Sequence, residues 1–302
     1  EALCEQGRNF GNKIWNAYRL VNGWTVDGTL AQSDNDRLAG EWFRQTLRRA
    51  VAELDGDFGS YRISEAFMLL YKLFWDDFSG WYLEMIKPAY GAPIDPRTVD
   101  EAKGFFDALL RVLHPFMPFV TEEIWQDLAP RKEGESICTA PMPQPVEADE
   151  RLLARFELVK ETITAVRNIR KQKNLPQREV LTLEVIADAN YPADYAPVLT
   201  KMANLSAIER VAEKDAAAAA FIVKTTQYFV PLGDRIDREA EIAKLGEELT
   251  YYEGFLQSVE RKLSNERFVQ SAPAAVVDKE RAKKADAEAK IAAIREQLAA
   301  LN

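Results

Sequence analysis

The chain has 302 residues, enough for two domains and an extension, and its 47% apolar and 29% charged side chains exclude a disordered protein. Its longest apolar runs are far shorter than the ~18 residues that a membrane-spanning helix needs, so we expect no association with a membrane. The net charge of −9 is concentrated in residues 1–150, with 25 acidic against 15 basic side chains, so any contact with nucleic acid must use local basic patches within a Debye length of about 10 Å.

Residues 1–145 are predicted to form a helical bundle. Apolar side chains recur at helical spacing in five segments, which short loops rich in Gly, Pro and Ser separate. Ser33 or Asp34 is expected to cap the second helix, and an aromatic helix over residues 60–87 is expected to bend near Ser79 and Gly80. The proline-rich residues 130–145 then form a surface connection. The pattern indicates a bundle of amphipathic helices as the first domain.

The polar face of the first helix is unusually rich in amides. Because Asn is a poor helix former, a face that is only solvated would more often carry Glu and Lys. Amide and guanidinium groups suit the edges of RNA bases, although the same amides could instead satisfy neighbouring loops of the bundle. The candidate contacts on this face are Arg8, Asn9, Asn12, Lys13 and Asn16.

Three arginines, Arg37, Arg44 and Arg48, share one face of the second helix. A solvated face is the simpler explanation of this spacing. Contact with nucleic-acid phosphates is the alternative, and Arg44 and Arg48 are retained as candidates for it.

Residues 146–233 are predicted to form a small α+β domain. A helix begins near Asp149 and ends before Pro176, after which the apolar period changes from helical to two. Strands are expected over residues 181–185, 208–211, 220–224 and 226–232, with a helix over about 194–204. The end of the first helix has five basic residues and no acid: Arg167, Arg170, Lys171, Lys173 and Arg178. The helix dipole explains one or two of these charges, so phosphate binding is expected for the cluster.

Residues 234–302 are predicted to form an antiparallel coiled-coil hairpin. Apolar residues are spaced by alternating steps of 3 and 4 from Ile242 to Leu263, a break follows at residues 271–273, and a second seam runs from Val277. Near the start of the second seam, Glu280 and Lys284 take the register positions. Each helix of about thirty residues spans about 45 Å, so the hairpin is expected to project as an arm. Its candidate phosphate contacts are Arg261, Arg267, Arg281 and Lys284.

No catalytic or metal-binding motif accompanies these elements. Cys4 and Cys138 have no companion cysteines, and His114 is the only histidine, so a structural zinc site of the usual kind lacks ligands. We expect both cysteines to be buried free thiols and His114 to be structural. The absence of a glycine-rich phosphate loop and of a nucleophile–base pair indicates that the chain has no catalytic residue, metal or cofactor of its own.

Three strings carry a resemblance to a known family. Residues 262–281, KLSNERFVQSAPAAVVDKER, resemble the hairpin of the C-terminal coiled coil of bacterial valyl-tRNA synthetases. Residues 7–17, GRNFGNKIWNA, resemble the helix that opens the anticodon-binding bundle of the same enzymes. Residues 113–125, LHPFMPFVTEEIW, resemble a stretch that the leucyl and isoleucyl enzymes share. Together the resemblance covers essentially the whole chain.

The resemblance implies a mainly α fragment of a class I aminoacyl-tRNA synthetase that recognises the tRNA for valine. The bundle would meet the anticodon stem and loop, and the arm would meet the outer corner of the tRNA. The parent enzyme, expected to be a cytoplasmic monomer, would join valine to its tRNA with ATP. A catalytic domain and an editing domain would precede Glu1, and ATP and magnesium would bind in the catalytic domain. The alternatives are the equivalent part of a leucyl- or isoleucyl-type synthetase and a non-enzymatic coiled-coil scaffold, which would not need the basic cluster at residues 167–178.

Overall fold

The computed structural model describes residues 2–213, 218–232, 238–265 and 274–301, and it confirms a mainly helical fold with one small sheet. The helices are α1 (Ala2–Asn22), α2 (Asp34–Gly59), α3 (Ile63–Lys72), α4 (Leu83–Ile86), α5 (Pro96–Leu113), α6 (Pro118–Leu128), α7 (Glu150–Gln172), α8 (Ala196–Met202), α9 (Arg238–Leu263) and α10 (Ala274–Leu301). The strands are β1 (Leu181–Ile186), β2 (Leu205–Arg210), β3 (Ala218–Val223) and β4 (Thr226–Pro231). None of these helices has an apolar stretch of membrane-spanning length.

The chain divides into two compact units. The first comprises residues 1–182, 187–209 and 222–226, and the second comprises residues 183–186, 210–221 and 227–302. The three-domain division at residues 145 and 233 stays a prediction. Helix α7, which that division assigns to the second domain, packs with the bundle helices. Its side chains Leu153, Phe156, Val159 and Ile163 belong to the same apolar core as those of the bundle helices.

The core of the first unit is largely aromatic. Trp42 of α2 stacks on Phe156 of α7 with ring centroids 4.4 Å apart, and Phe43 lies 5.2 Å from Phe78. Phe106 of α5 packs edge-on against Phe78 at 5.3 Å. Burial of such rings, each removing about 150–250 Å² from water, is the main source of stability for the bundle.

The aromatic helix expected over residues 60–87 is three helical segments without a break. Between α3 and α4, residues Leu73–Tyr82 form a π-helical segment, and the residues at both of its ends keep right-handed helical dihedrals. The predicted bend at Ser79 therefore falls inside a wider helical turn. Long π-helical stretches are rare and often mark functional regions.

The four strands form one sheet in the order β2-β1-β4-β3. β1 is antiparallel to β4, with Val185 opposite Tyr228. Leu181, Leu183 and Val185 are buried while the residues between them are half-exposed, as the apolar period of two predicted.

Helices α9 and α10 pack against each other to form the arm, defined here as residues 238–265 and 274–301. Its buried apolar residues are Leu245, Val259, Val277, Ala287, Ile291 and Ile294, all on the predicted seams. Glu280 is buried among them, as its register position required. The predicted break at residues 271–273 and the side chain of Ile242 lie outside the described residues.

Candidate nucleic-acid interface

Helix α1 separates an apolar face from an amide face. Phe10, Ile14 and Val21 are buried, which fixes the opposite face toward solvent. Asn9, Asn12 and Asn16 are exposed there, and in the described parts of the chain none of their side chains makes a hydrogen bond. The structural alternative, in which these amides would satisfy nearby loops, thus has no support among the described residues.

The two cations of this face differ in their surroundings. Arg8 is exposed and pairs with Glu5 one turn earlier at 3.3 Å. Lys13 is half-buried, and its Nζ lies 5.3 Å from the ring centre of Trp75, which stacks in turn on Tyr71 at 5.4 Å. Lys13 therefore covers an indole face that the sequence pattern did not connect with α1.

A cavity of about 440 Å³ lies beside this face. Its lining is mainly apolar and comes from α1 and α3: Gln6, Gly7, Phe10, Phe67, Met68 and Tyr71. The sequence pattern did not predict a site at these residues. The aromatic pair Tyr71 and Trp75, one helical turn apart, is the feature of the sequence that could have indicated it.

Two of the three candidate arginines of α2 form ion pairs with carboxylates. Arg37 pairs with Asp34 and Glu41, and Arg44 donates to Glu101 on α5 at 3.0 Å. Arg48 is half-exposed and has no ion pair within the described residues. The simpler explanation, a solvated and self-paired face, thus fits Arg37 and Arg44, and Arg48 is the remaining candidate for phosphate.

The prediction that Arg170 contacts phosphate does not agree with its position in the structure. Only 1% of its surface is exposed, and its guanidinium donates to the carbonyls of Pro176, Glu179, Ala203 and Asn204 at 2.7–3.3 Å. With its donors occupied by backbone, Arg170 is not available to phosphate. Burial lowers the pKa of Arg170, although a guanidinium remains protonated at neutral pH.

The rest of the basic cluster lies nearer to solvent. Arg167 is exposed as a residue, but its guanidinium donates to the Met202 carbonyl at 3.2 Å and lies 5.6 Å from the centre of the Trp81 ring. This partial burial of the guanidinium lowers the pKa of Arg167. Lys173 is half-exposed. Lys171 and Arg178 are exposed, and neither forms an ion pair with any described residue. Lys171 and Arg178 are thus the most accessible cations of the cluster.

The candidate cations of the arm are mostly paired at its surface. Lys284 contacts Glu260 on the opposite helix at 2.9 Å, and Arg281 contacts Asp278 at 3.4 Å. Arg261 is exposed and has no ion pair within the described part of the arm. Arg267 lies outside the described residues. Since exposed pairs of this kind contribute little, phosphate can replace their carboxylates at small cost.

Two further predictions concern metal ligands and cysteines. Among the described residues, no three His, Cys, Asp or Glu side chains gather in a way that could hold a metal ion. The prediction that both cysteines are buried is wrong. Cys4 lies on the solvent side of α1, Cys138 lies in the surface connection, and both are exposed. Cys138 also lies beside His114, which the sequence placed far from any nucleophile.

Two family models match the chain over ranges that do not overlap. Residues 40–187 match the anticodon-binding domain of tRNA ligases. Residues 237–302 match the valyl tRNA synthetase tRNA binding arm. The first match spans the bundle from α2 to β1, and the second spans the arm, so the helix pair and the bundle each have a counterpart in a tRNA-binding module.

Whole-chain relatives agree with these matches. The valine–tRNA ligase of Parabacteroides distasonis is 56% identical over 301 residues, which are 100% of this chain and 34% of that protein. The enzyme of Christiangramia forsetii is 44% identical over 302 residues, again 100% of this chain and 34% of the relative. The enzyme of Enterococcus faecalis is 36% identical over 97% of this chain and 35% of its own length.

The chain therefore spans about a third of the length of the curated relatives it matches. Its bundle and its arm match two modules whose descriptions both refer to tRNA: the anticodon-binding domain of tRNA ligases and the valyl tRNA synthetase tRNA binding arm. The chain belongs to the valyl-tRNA synthetase family and is the C-terminal region of such a protein, with the anticodon-binding domain and the tRNA binding arm.

Proposed function

We propose that this chain is the tRNA-recognition portion of a valine–tRNA ligase, in which the bundle binds the anticodon stem and loop and the arm binds the outer corner of the tRNA. The parent enzyme joins valine to its cognate tRNA with ATP. ATP and magnesium bind in the catalytic part of the parent, outside this chain. The parent works as a monomer in the cytoplasm.

One observation carries the proposal: an anticodon-binding match and a tRNA binding arm match occur in the same chain. The free amide face of α1 supports it independently. Three exposed Asn side chains without a hydrogen bond among the described residues are an unusual feature of a helix, because Asn lowers helix stability relative to Ala, Glu or Lys.

The surface chemistry of the bundle suits a single-stranded loop next to a stem. Each amide offers a donor and an acceptor in a fixed pair, which matches the edge of an unpaired base. Arg8 and Lys13, on the same helix, supply positive charge for the adjoining phosphates, and Arg48 adds a third cation from α2. The overall negative charge of the chain makes this binding weak, and the contacts with phosphates make it dependent on salt.

The arm suits contact with backbone rather than with bases. Its described surface alternates acidic and basic side chains, of which Arg261 has no partner and Lys284 and Arg281 have only exposed ones. Such a surface offers phosphate contacts without a pattern of amides that could read sequence. The arm would therefore add affinity, and the bundle would add discrimination.

The proposal is tested by titrating the full 302-residue chain with valine tRNA and with an unrelated tRNA. We expect tighter binding to valine tRNA, and we expect the triple variant Asn9→Ala, Asn12→Ala, Asn16→Ala to lose most of this preference because the base contacts are gone. Arg97→Ala, which removes an exposed cation of α5, serves as the control and should leave the preference intact. Equal affinity of the unaltered chain for both tRNAs would contradict the proposal.

The salt dependence of the same titration tests the basic cluster. Replacing Lys171 and Arg178 with Ala should weaken binding to both tRNAs alike and lower the slope of log K against log salt by about 0.7–0.9 for each lost phosphate contact. The matched control removes two exposed cations elsewhere, Arg97 and Lys132. If control and variant change the slope equally, the cluster has no special contact with tRNA.

A further inference from the structure

The end of α5 brings an imidazole to a thiol. His114 follows the last residue of α5, and Cys138 lies in a single helical turn at residues 137–139 within the surface connection. His114 Nε2 and Cys138 Sγ are 3.1 Å apart, although 24 residues separate them in sequence. The sulfur is exposed, so a small reagent can reach it.

A third side chain fixes the protonation of the imidazole. His114 Nδ1 is 2.8 Å from Thr121 Oγ1, and the same hydroxyl lies 2.8 Å from the Met117 carbonyl. A hydroxyl has one hydrogen, and the carbonyl can only accept, so Thr121 donates to Met117 and accepts from Nδ1–H. In the neutral ring, Nε2 then presents its lone pair to the sulfur.

A carboxylate lies close to this pair. Glu122, on α6 beside Thr121, accepts hydrogen bonds from Gln126, from Ser136 and from the backbone of Ile137. Burial opposes ionisation of Glu122, yet these hydrogen bonds lower its pKa overall. Glu122 is therefore an anion that can stabilise an imidazolium formed when the ring accepts a proton.

We propose that Cys138 is a nucleophilic thiol that a hydroperoxide oxidises, with His114 as its base and Thr121 as a positioning residue. A nucleophile, a base within hydrogen-bond distance and a group that orients the base are the arrangement by which proteins activate cysteines. The thiol proton moves to Nε2, and the sulfur attacks one peroxide oxygen. The S–O bond forms, the O–O bond breaks, and the leaving hydroxide takes the proton from the imidazolium. Cys138 becomes a sulfenic acid, and hydrogen peroxide is reduced to water.

Cys4 provides a control within the same molecule. It is exposed like Cys138, but no described histidine or other base contacts it. Any difference in reactivity between the two thiols therefore reports the imidazole and not exposure alone.

The test treats the full chain with limiting hydrogen peroxide at about pH 6.5, traps sulfenic acid with dimedone, and quantifies the two cysteine peptides by mass spectrometry. An ordinary thiol is only a few per cent ionised near neutral pH, so we expect Cys138 to react about tenfold faster than Cys4. The preference should vanish in His114→Gln. Because ordinary thiols are ionised in alkali, the two cysteines should react equally at about pH 9.5.

Thr121→Val guards against a folding artefact, since valine has the shape of threonine without its hydroxyl. It frees the ring to place Nε2–H toward the sulfur, and we expect it to reduce the preference for Cys138 at about pH 6.5 without changing the circular dichroism spectrum. Equal rates for Cys138 and Cys4 in the unaltered chain would overturn the proposal. So would a preference that survives in both folded variants.

Discussion

In the bundle, each buried ring touches several others, whereas in the arm each buried residue faces a narrow seam. Phe78 has Phe43, Phe74 and Phe106 within 5.2–5.4 Å of its ring centre, contributed by three different segments. In the arm, the buried residues lie at intervals along the seam of two helices, and a charged residue, Glu280, lies among them.

This difference indicates which contacts stabilise each region. The core of the bundle joins residues far apart in sequence, so removing one ring weakens contacts to several segments at once. The arm depends on local helix formation and one shared seam. Truncating one of its buried side chains should therefore lower the free energy of unfolding by less than in the bundle, and it should leave the bundle unaffected. All six tryptophans precede residue 130, which lets fluorescence follow the bundle while circular dichroism follows both regions.

The largest effect is expected from Phe106→Ala in the bundle. Phe106 is fully buried and packs against Tyr18, Phe74 and Phe78, so truncation leaves a cavity that costs about 4 kcal/mol of the free energy of unfolding. Urea unfolding followed by tryptophan fluorescence measures it. Phe119→Ala, at a phenylalanine that is 89% exposed, is the matched control and should cost less than about 0.5 kcal/mol.

Arg170→Met should cost about 3 kcal/mol of the free energy of unfolding, because four carbonyl groups lose their charged donor. Arg170→Lys should restore little, since an ammonium cannot replace the planar fork of a guanidinium. Lys171→Met, at the exposed neighbour, is the control and should leave unfolding unchanged. If the two methionine variants unfold alike, Arg170 contributes no more than an exposed lysine.

In the arm, Ile291→Ala should cost about 2 kcal/mol, since it removes one side chain from the seam. Helical ellipticity should be lost at a lower temperature while tryptophan fluorescence keeps its midpoint. Val276→Ala, at a valine that is 43% exposed, is the control. A parallel shift of the fluorescence midpoint would show that the arm and the bundle unfold together, and it would remove the contrast between the two regions.

The smallest effect concerns pH. Burial raises the pKa of Asp77 despite its contact with Lys160 at 3.2 Å. The native state therefore holds this proton more tightly than the unfolded chain, so the stability that Asp77 contributes is complete at low pH and is lost as pH rises through its native pKa. Asp77→Asn should gain stability relative to the unaltered chain between about pH 4 and about pH 7, as measured by urea unfolding.

Asp55→Asn removes an exposed carboxylate of α2 that does not act on Asp77 and serves as the control. It should leave the difference in unfolding free energy between the two pH values close to that of the unaltered chain. If Asp77→Asn also leaves that difference unchanged, the contact with Lys160 fully offsets the burial of Asp77.

The sequence was a good guide wherever local periodicity determines structure. The amphipathic stripe of α1 and the seams of the arm follow from spacing alone. The sequence offered Ser33 or Asp34 as the cap of α2, and in the structure Ser33 accepts a hydrogen bond from the Asp36 backbone. The π-helical segment was not predictable, because its apolar spacing resembles that of an α-helix. Its wider turn depends on how the surrounding rings pack.

The candidate interface was harder to predict for a different reason. Lys and Arg side chains are mostly exposed, so the sequence predicts that Arg170 is exposed like the other basic residues of its cluster. What buries it is a set of backbone carbonyls, two of them more than thirty residues away, and carbonyls leave no trace in side-chain patterns. The contact between His114 and Cys138 was not predicted for a different reason, because the loop that carries Cys138 has no regular apolar period.

The position of Lys13 over Trp75 makes this tryptophan an intrinsic fluorescence probe of the bundle surface. A cation close to an indole alters the energy and lifetime of its excited state, and any anionic ligand that draws the ammonium away uncovers the ring. Trp75 emission therefore reports directly on the amide face of α1, and a Trp75→Phe variant supplies the baseline. Ligand docking on the bundle can be followed in real time without a dye.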